Sequence, residues 1–289
     1  MNLSRSKKII ILVLVILNIV LLALRIADKP DYTISSDREK AVYEVLGKNN
    51  IALYTELMTS YEPMQQILVS STEANVEKIL PAFFSSTENM EMTIEFSKTI
   101  YSDKYKILTL GENTLLFEDY TPTDEIPDYS YNQASNAASN FCEVIMAALN
   151  FSKNVELEKN YFKNEEYTFR YVESYNKSKL FCNYIDITVK NGKILRAEAS
   201  RYGVDGFTGN KQNIAAPDEI MLTFLYELKK NDLSYGIIIT DMEIGYDFQS
   251  SDDIASGDSL SLVPCYRIYI QGIDEPFTIN AYTNELIDL

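Results

Sequence analysis

The stretch IDITVKNGKILRAEA, residues 185–199, decides the fold class of this chain. Apolar and polar residues alternate from Ile185 to Val189, and a second run returns from Ile194. Between the two runs lies the pair Asn191-Gly192, and both residue types tolerate the positive φ angles of a type I′ turn. A period of two places one face of each strand against a core. The stretch therefore predicts an antiparallel hairpin with one buried face.

Alternating runs on both sides of this hairpin predict further antiparallel strands. They lie at residues 92–96, at 107–110 and 115–120 around a turn that begins at Gly111, at 242–248, and in a closing hairpin of 263–270 with 277–282. The glycine-containing stretch 203–209 follows strands, lacks a Lys-Ser/Thr ending and does not open a helix, so we predict a flexible loop there rather than a phosphate cradle.

Four segments carry helical signals. A capping box at Ser36–Glu39 predicts a helix that ends at Gly47. A second helix begins at Ser71 or Thr72, and Pro81 should kink or end it. A third runs from about Asn132 to Leu149, with an inward stripe that includes Ala138 and Ile145. The last starts at Pro217, with acidic residues in its first turn and lysines in its last.

Helices followed by antiparallel strands, twice along the chain, indicate an α+β fold in which helices pack on antiparallel sheets. The acidic, proline-containing stretch Thr121–Asp128 is the predicted linker between two domains. We therefore divide the chain into a cytoplasmic tail at 1–8, a transmembrane anchor at 9–27, and two extracytoplasmic domains at 28–124 and 125–289.

The anchor is predicted from an apolar run between Ile9 and Leu24, interrupted only by Asn18. A span of about 19 residues is just long enough for a bilayer core. A cleaved signal peptide and a buried helix are the alternatives, but Arg25 stands where a cleavage site wants a small residue. The basic residues crowded before the run place the amino terminus in the cytoplasm. Asn18, a polar amide in the span, is the candidate contact to a partner helix.

Composition excludes several classes of function. The chain has 42 acidic and 26 basic residues, a net charge of -16, which repels nucleic-acid backbones. It contains no histidine, so Ser-His-Asp and Cys-His catalysis and histidine-ligated metal sites are absent. The 3 cysteines, at Cys142, Cys182 and Cys265, have no partner spacing and are interpreted as small buried hydrophobes, although one bridge stays open.

Carboxylate pairs are candidates for acid–base chemistry and for metal ligation. The places are Glu118-Asp119, Asp186, Asp252-Asp253 and a loosely calcium-like stretch at Asp247–Asp258. None has a catalytic frame or the ligand spacing of a calcium loop, and solvated turns explain most of them. We therefore predict no catalytic residue, no cofactor and no metal.

Segments at both ends of the chain resemble one family. The opening NLSRSKKIII at 2–11, the segment DYTIS at 31–35, and the closing VPCYRI at 263–268 with INAYTNE at 279–285 are similar to the YycI family of two-component-system regulatory proteins. The closing hairpin alone also resembles exported modules of the PepSY kind. Leu3 departs from the family pattern, where tryptophan is common, and Asn284 stands where glycine is usual.

The resemblance implies an accessory protein that contacts a membrane histidine kinase of the WalK (YycG) kind, together with a YycH-like protein, and tunes cell-wall metabolism in Firmicutes. It implies no catalytic residue, and it carries Asn18 over as a candidate contact. The alternative is a tethered, exported PepSY-like module that binds a ligand or inhibits a protease. An acid–base hydrolase is a third hypothesis.

Overall fold

The structure is a computed structural model, and it describes residues 11, 13–21, 32–72, 74–84, 86, 90–122, 129–231, 236–250 and 260–287. After the helical residues 13–21, the described chain contains four further helices. They are α1 (Ser36–Lys48), α2 (Val76–Phe83), α3 (Tyr131–Leu149) and α4 (Pro217–Lys230).

The described strands form one 14-stranded sheet. In chain order they are β1 (Ile51–Leu53), β2 (Met64–Ser70), β3 (Glu91–Glu95), β4 (Lys98–Ser102), β5 (Lys106–Leu110), β6 (Thr114–Asp119), β7 (Val155–Lys163), β8 (Glu166–Tyr175), β9 (Ser178–Lys190), β10 (Lys193–Ser200), β11 (Gly203–Gln212), β12 (Ile237–Asp247), β13 (Leu260–Ile270) and β14 (Phe277–Asn280). Its main path runs β11-β2-β13-β12-β9-β10-β6-β5-β4-β3, and β1, β7, β8 and β14 pair beside it.

The first half of the sheet packs against α2 and α3. Helix α3 buries a stripe that includes Ala138 and Ile145, both fully covered, against Ile185 and Ile187 of β9. Small alanines on the helix let it approach the large side chains of the strands closely, as core packing requires. This first core also takes in β4, β5, β6, β8 and β10.

The second half packs against α1 and α4. Val42 and Leu46 of α1 and Phe224 of α4 meet Tyr266 of β13 in this second core. Ala281, just past β14, is also buried there. The two helices flank strands β1, β12, β13 and β14, so each half of the sheet has its own pair of helices.

The two halves join where β12 pairs with β9 in parallel, Gly245 opposite Lys179 and Tyr246 opposite Leu180. Strand β9 is long enough to pair with β12 near its start and with β10 near its end. A second parallel pairing places Ile51 of β1 opposite Ile237 of β12. Segments far apart in sequence are thereby held in one sheet.

Local signals read from the sequence are confirmed at several elements. Asn191 and Gly192 have φ angles of 49° and 77°, the positive values that a type I′ turn needs. Pro217 stands at the start of α4. Helix α1 is capped by Ser35, one residue before the predicted cap. The Ser35 side chain accepts a hydrogen bond from the Arg38 N–H. The predicted start of the second helix at Ser71 or Thr72 was wrong, because α2 begins at Val76 with Asn75 as its cap, and it extends two residues past Pro81.

The predicted fold class was wrong. Of the described residues 45% lie in strands and 26% in helices, so sheet dominates the structure. The single N-terminal transmembrane helix is not shown, because no helix in the described ranges is long and apolar enough to cross a bilayer. Of the segment predicted as anchor, residues 9, 10, 12 and 22–27 lie outside the described residues, as does the tail at 1–8.

The prediction of a flexible loop at residues 203–209 was wrong. The stretch from Gly203 to Gly209 is not a loop: it belongs to β11, which pairs antiparallel with β2 through a bulge at Gly206. Hydrogen bonding to β2, which is distant in sequence, makes this stretch a strand although its local sequence shows no strand alternation. The domain boundary at 124/125 remains a prediction, and most of the linker, residues 123–128, lies outside the described residues.

Candidate binding groove

A groove of about 440 Å³ opens beside the junction of the two half-sheets. Its walls are the segment before β2, the turn between β8 and β9, and strand β11, while β12 runs beneath them. The apolar lining comes from Met58, Met64, Phe207, Ile214, Ile244 and Tyr246, and polar groups are contributed by Ser60, Glu62, Gln65, Asn176, Ser178 and Lys211. A mainly apolar concavity with a few polar groups, set between two units, is the usual form of a binding site.

Three contacts hold the walls in place. The Tyr282 hydroxyl donates to the Met64 carbonyl at 2.9 Å, which ties the start of β2 to the end of the chain. The Gln65 side-chain amide donates to the Gly209 carbonyl at 2.7 Å. The ring of Phe207 lies 5.4 Å from that of Tyr175. The groove is therefore built from segments separated by more than a hundred residues.

The groove is nearly neutral in charge. Within the described lining, Glu62 is the one carboxylate and Lys211 the one cation. Burial raises the pKa of Tyr246 well above its usual value, with a smaller contribution from Tyr282, and burial raises the pKa of Tyr282 to about 12. Both hydroxyls stay protonated near neutral pH, and the hydrogen of the Tyr282 hydroxyl is already donated to the Met64 carbonyl. The arrangement suits binding of an uncharged or weakly charged apolar segment.

On the opposite side of β12 a chain of charged contacts crosses the junction. We call it the junction network, and it runs through Asp186, Arg170, Glu158, Lys179, Glu243 and Tyr269. The separations are 3.1 Å from Arg170 Nη1 to Asp186, 3.5 Å from Arg170 Nε to Glu158, and 3.3 Å from Lys179 Nζ to Glu158. Lys179 also contacts Glu243, whose other oxygen accepts from the Tyr269 hydroxyl at 2.5 Å.

The pKa values of two lysines, Lys179 in this network and Lys159 beside it, are shifted in opposite directions. Burial would lower the pKa of Lys179, but the carboxylates of Glu243 and Glu158 outweigh it and raise that pKa. The pKa of Lys159 is lowered, first by burial and then by the charge of Arg170. Both line a small polar cavity of about 180 Å³. The charges alternate in sign along the network, so we interpret it as a charge-paired link between the half-sheets. Within the described residues, Glu158 Oε2, Arg170 Nε and Asp186 Oδ1 are buried without a hydrogen-bond partner.

Asn18, the residue predicted to contact a partner, lies in the N-terminal helical residues. Its side-chain amide donates to the Leu14 carbonyl one turn earlier, at 2.9 Å, and the residue is exposed. That bond satisfies one amide hydrogen and leaves the amide oxygen directed away from it. Asn18 is far in sequence from the groove, and its role as a partner contact stays a prediction.

The carboxylates considered for catalysis are held by basic partners in the described part of the chain. Asp119 lies 2.9 Å from Lys193, and Asp186 belongs to the junction network. Burial would raise the pKa of Asp119, but hydrogen bonds from Thr121 and Lys193 lower it. Asp252 and Asp253 lie outside the described residues.

Asp247, the first residue of the calcium-like stretch, is buried in an ion pair with Arg267 at 2.6 Å. The guanidinium of Arg267 also lies over the Phe181 ring, 4.1 Å from its centre. Sequence reasoning did not identify this pair, because Asp247 and Arg267 meet only through the pairing of β12 with β13. The one local signal was an acidic and a basic residue among apolar strand positions.

The cysteines are free and buried. Burial raises the pKa of Cys142 to about 12, and burial also raises the pKa values of Cys182 and Cys265. Thiols that stay protonated at neutral pH are poor nucleophiles. They therefore act as small core side chains, as interpreted from the sequence, and form no bridge with one another.

No protein-family model matches the chain, and no curated protein matches it. Among solved structures, an uncharacterised protein from Eubacterium rectale is similar over 90% of this chain and 100% of its own, with 15% identity and a TM-score of 0.55. The Bacillus megaterium YpeB C-terminal domain is matched over 75% of this chain and 96% of its own, with 12% identity and a TM-score of 0.40. The Eubacterium protein and this chain thus share a fold.

Proposed function

We propose that this chain is a non-catalytic binding protein that acts outside the cytoplasm and modulates a membrane sensor histidine kinase through protein–protein contacts. The observation that carries the binding role is the groove, an open and mainly apolar concavity at the junction of two half-sheets. The kinase as target rests on the resemblance of both ends of the chain to the YycI family. A YycH-like accessory protein is the second proposed partner.

Chemistry supports binding rather than catalysis. The chain has no histidine, and its free thiols are buried and hold their protons. In the groove, serine hydroxyls stand beside apolar side chains and a single carboxylate of the described lining. A hydrolase would need a base within reach of a nucleophile in such a cleft. An apolar, weakly charged groove instead favours a peptide-like segment of a partner.

The test is co-purification of the full chain with its proposed partners. We would produce the tagged full chain together with a WalK-like kinase and a YycH-like protein and quantify what is recovered. Phe207→Glu combined with Lys211→Glu changes the apolar and basic sides of the groove. Tyr226→Glu is the matched control, because Tyr226 is 63% exposed on α4, away from the groove lining.

The expected result is recovery of the kinase with the wild type and the control, and loss of at least about tenfold with the groove variant. Equal recovery of the kinase with the wild type, the groove variant and the control would show that the groove is not the binding site. If the wild type recovered neither the kinase nor the YycH-like protein, the kinase would be ruled out as the target. The alternative, an exported PepSY-like module that binds a ligand, would then be tested by native mass spectrometry of the full chain.

A further inference from the structure

Strand β3 ends the main path of the sheet and carries large apolar side chains that are exposed in the described part of the chain. Met92 is 59% exposed, Ile94 is 68% exposed, and Phe96, in the turn after the strand, is fully exposed. We call these three residues the β3 strip. Within the described residues β3 pairs only with β4. Its other edge therefore has no strand partner among the described residues. Unpaired edge strands are templates for adding another strand.

The strip continues the side of the sheet that faces the first core. Met92 lies opposite Tyr101 of β4, which is buried in that core. Residues opposite each other in antiparallel strands point to the same face. Met92, and Ile94 two residues on, therefore extend an apolar surface beyond the edge that α2 and α3 cover. A strand added beside β3 would extend the first core by one further row of side chains.

The other face of β3 is acidic. Glu91 and Glu95 flank Thr93 there, and all three are exposed. Lys98 of β4 lies opposite Glu95, and within the described residues neither glutamate forms an ion pair. A complementary strand would place apolar side chains beside the strip and lysine or arginine beside these glutamates. The chain's net charge of -16 adds long-range attraction for such a basic segment.

A second copy of this chain fits this edge poorly. In the antiparallel register that overlaps the whole of β3, Glu91 of one copy would lie opposite Glu95 of the other, and like charges opposite each other destabilise a strand pair. Two chains of charge -16 also repel each other. The same acidic character opposes insertion of the strip into an anionic membrane.

Phe96 supplies an independent observation. Its φ angle is 53°, a left-handed conformation that bulky residues rarely adopt. Glycine or asparagine would fit this turn with less strain. Within the described residues the Phe96 side chain is fully exposed, so no packing offsets this strain, which favours a role in contacting a partner.

We propose that the β3 edge binds an extended segment of another protein by strand addition, and that this segment alternates apolar with basic side chains. Backbone hydrogen bonds along β3 supply affinity, and the alternation supplies specificity. This inference is independent of the groove and of the kinase. The groove variant Phe207→Glu with Lys211→Glu should leave it intact.

The test uses the full chain and a short labelled peptide of alternating valine and lysine. Binding is measured by fluorescence anisotropy at physiological salt, and hydrogen exchange locates the protected amides. We expect protection at residues 90–97. Met92→Ser with Ile94→Ser should weaken binding at least about tenfold, and Phe96→Gly should weaken it without loss of stability. The matched control, Leu222→Ser with Tyr226→Ser, removes two exposed apolar side chains of α4 and should bind like the wild type.

Several results would overturn the proposal. They are equal binding by the strip variant and the control, protection confined to residues outside 90–97, and equal binding of a valine–glutamate peptide. Self-association of the full chain that the strip variant abolishes would assign the edge to a second copy. Binding to phosphatidylcholine vesicles that the same variant abolishes would assign it to a lipid surface.

Discussion

Gly245 lies against the ring of Phe181 so closely that a side chain at position 245 would collide with it. A Cβ there would stand 2.6 Å from two ring carbons and 2.8 Å from the Lys179 carbonyl oxygen. Gly245 belongs to β12 and the contacted atoms belong to β9, and these two strands join the half-sheets. Glycine at position 245 therefore allows the backbones of β12 and β9 to come as close as their pairing at the junction requires.

Gly245→Ala should therefore destabilise the protein, by about 2–3 kcal/mol, because the added methyl meets backbone and a buried ring that cannot move aside. The free energy of unfolding is measured by urea denaturation. Gly47→Ala is the matched control, since nothing lies within 4 Å of a Cβ there. Gly47 is in α1, so the control should be stabilised by about 0.5–1 kcal/mol. Equal effects of both changes would contradict this account of the junction.

Loss of either partner of the Arg267–Asp247 pair should be costly. Both side chains are at least 90% buried, so Asp247→Ala leaves a buried cation and Arg267→Ala a buried anion, each at about 3–5 kcal/mol. The double substitution Arg267→Ala with Asp247→Ala should cost less than the two single changes together. Denaturation of all four proteins gives the coupling energy.

The surface pair of Lys48 with Glu44 is the comparison, because its side chains are 75% and 71% exposed. Lys48→Ala should change stability by less than about 1 kcal/mol. A similarly small effect of Arg267→Ala would show that water reaches the buried pair.

Asn183 should be required for stability. Its amide donates to Glu173 at 2.7 Å and to the Tyr202 carbonyl at 2.9 Å, and its oxygen accepts from the Tyr202 N–H at 2.8 Å. Asn183→Ala leaves these buried partners without their hydrogen bonds. It should lower the free energy of unfolding, measured by urea denaturation, by about 2–4 kcal/mol. Asn140→Ala, at an exposed helical position of α3, should cost less than about 0.5 kcal/mol. A small loss for Asn183→Ala would mean that its partners find other hydrogen bonds.

Asp186 should make stability depend on pH. Burial raises the pKa of this carboxyl from 3.8 to about 6, although Arg170 opposes the shift. Between about pH 4 and 6 the folded state keeps a proton that the unfolded chain has released, so stability falls as pH rises through this window. The loss is on the order of 3 kcal/mol. Below about pH 4 both states are protonated and the loss is absent.

The check compares the wild type with Asp186→Asn by denaturation from pH 4 to 8. Groups that do not interact with Asp186 titrate alike in both proteins, so the difference in stability is dominated by Asp186. The wild type should lose stability relative to the variant as pH rises from about 4 to 6. A difference that stays constant across this range would show that Asp186 titrates normally.

Short-range chemistry made several elements of this protein predictable. Asn191-Gly192 specifies its turn because both residues accept positive φ. Pro217 begins α4 because a proline needs no hydrogen-bond partner in the first turn. The alternation in 107–110 and 115–120 produced β5 and β6, since period two exposes one face and buries the other.

The candidate sites were not predictable in the same way. The groove uses Met64, Phe207 and Tyr246, which lie far apart in sequence and look like ordinary strand residues. The junction network joins Asp186 to Glu243 through Arg170, Glu158 and Lys179, and none of these residues has a motif around it. Asn18 was singled out from its polar amide in an apolar run, and its role stays a prediction.

The sequence by itself determined the turn at Asn191-Gly192, the start of α4 at Pro217 and the alternating strands, because each depends on residues within a few positions of one another. It also determined the absence of histidine chemistry. Only the tertiary structure decided that one sheet holds all the described strands, that 203–209 is a strand, and that sheet outweighs helix. The parallel pairing at Gly245 and the ion pair of Arg267 with Asp247 join residues at long sequence separation. Such pairings are chosen by packing across the whole chain, which no local pattern records.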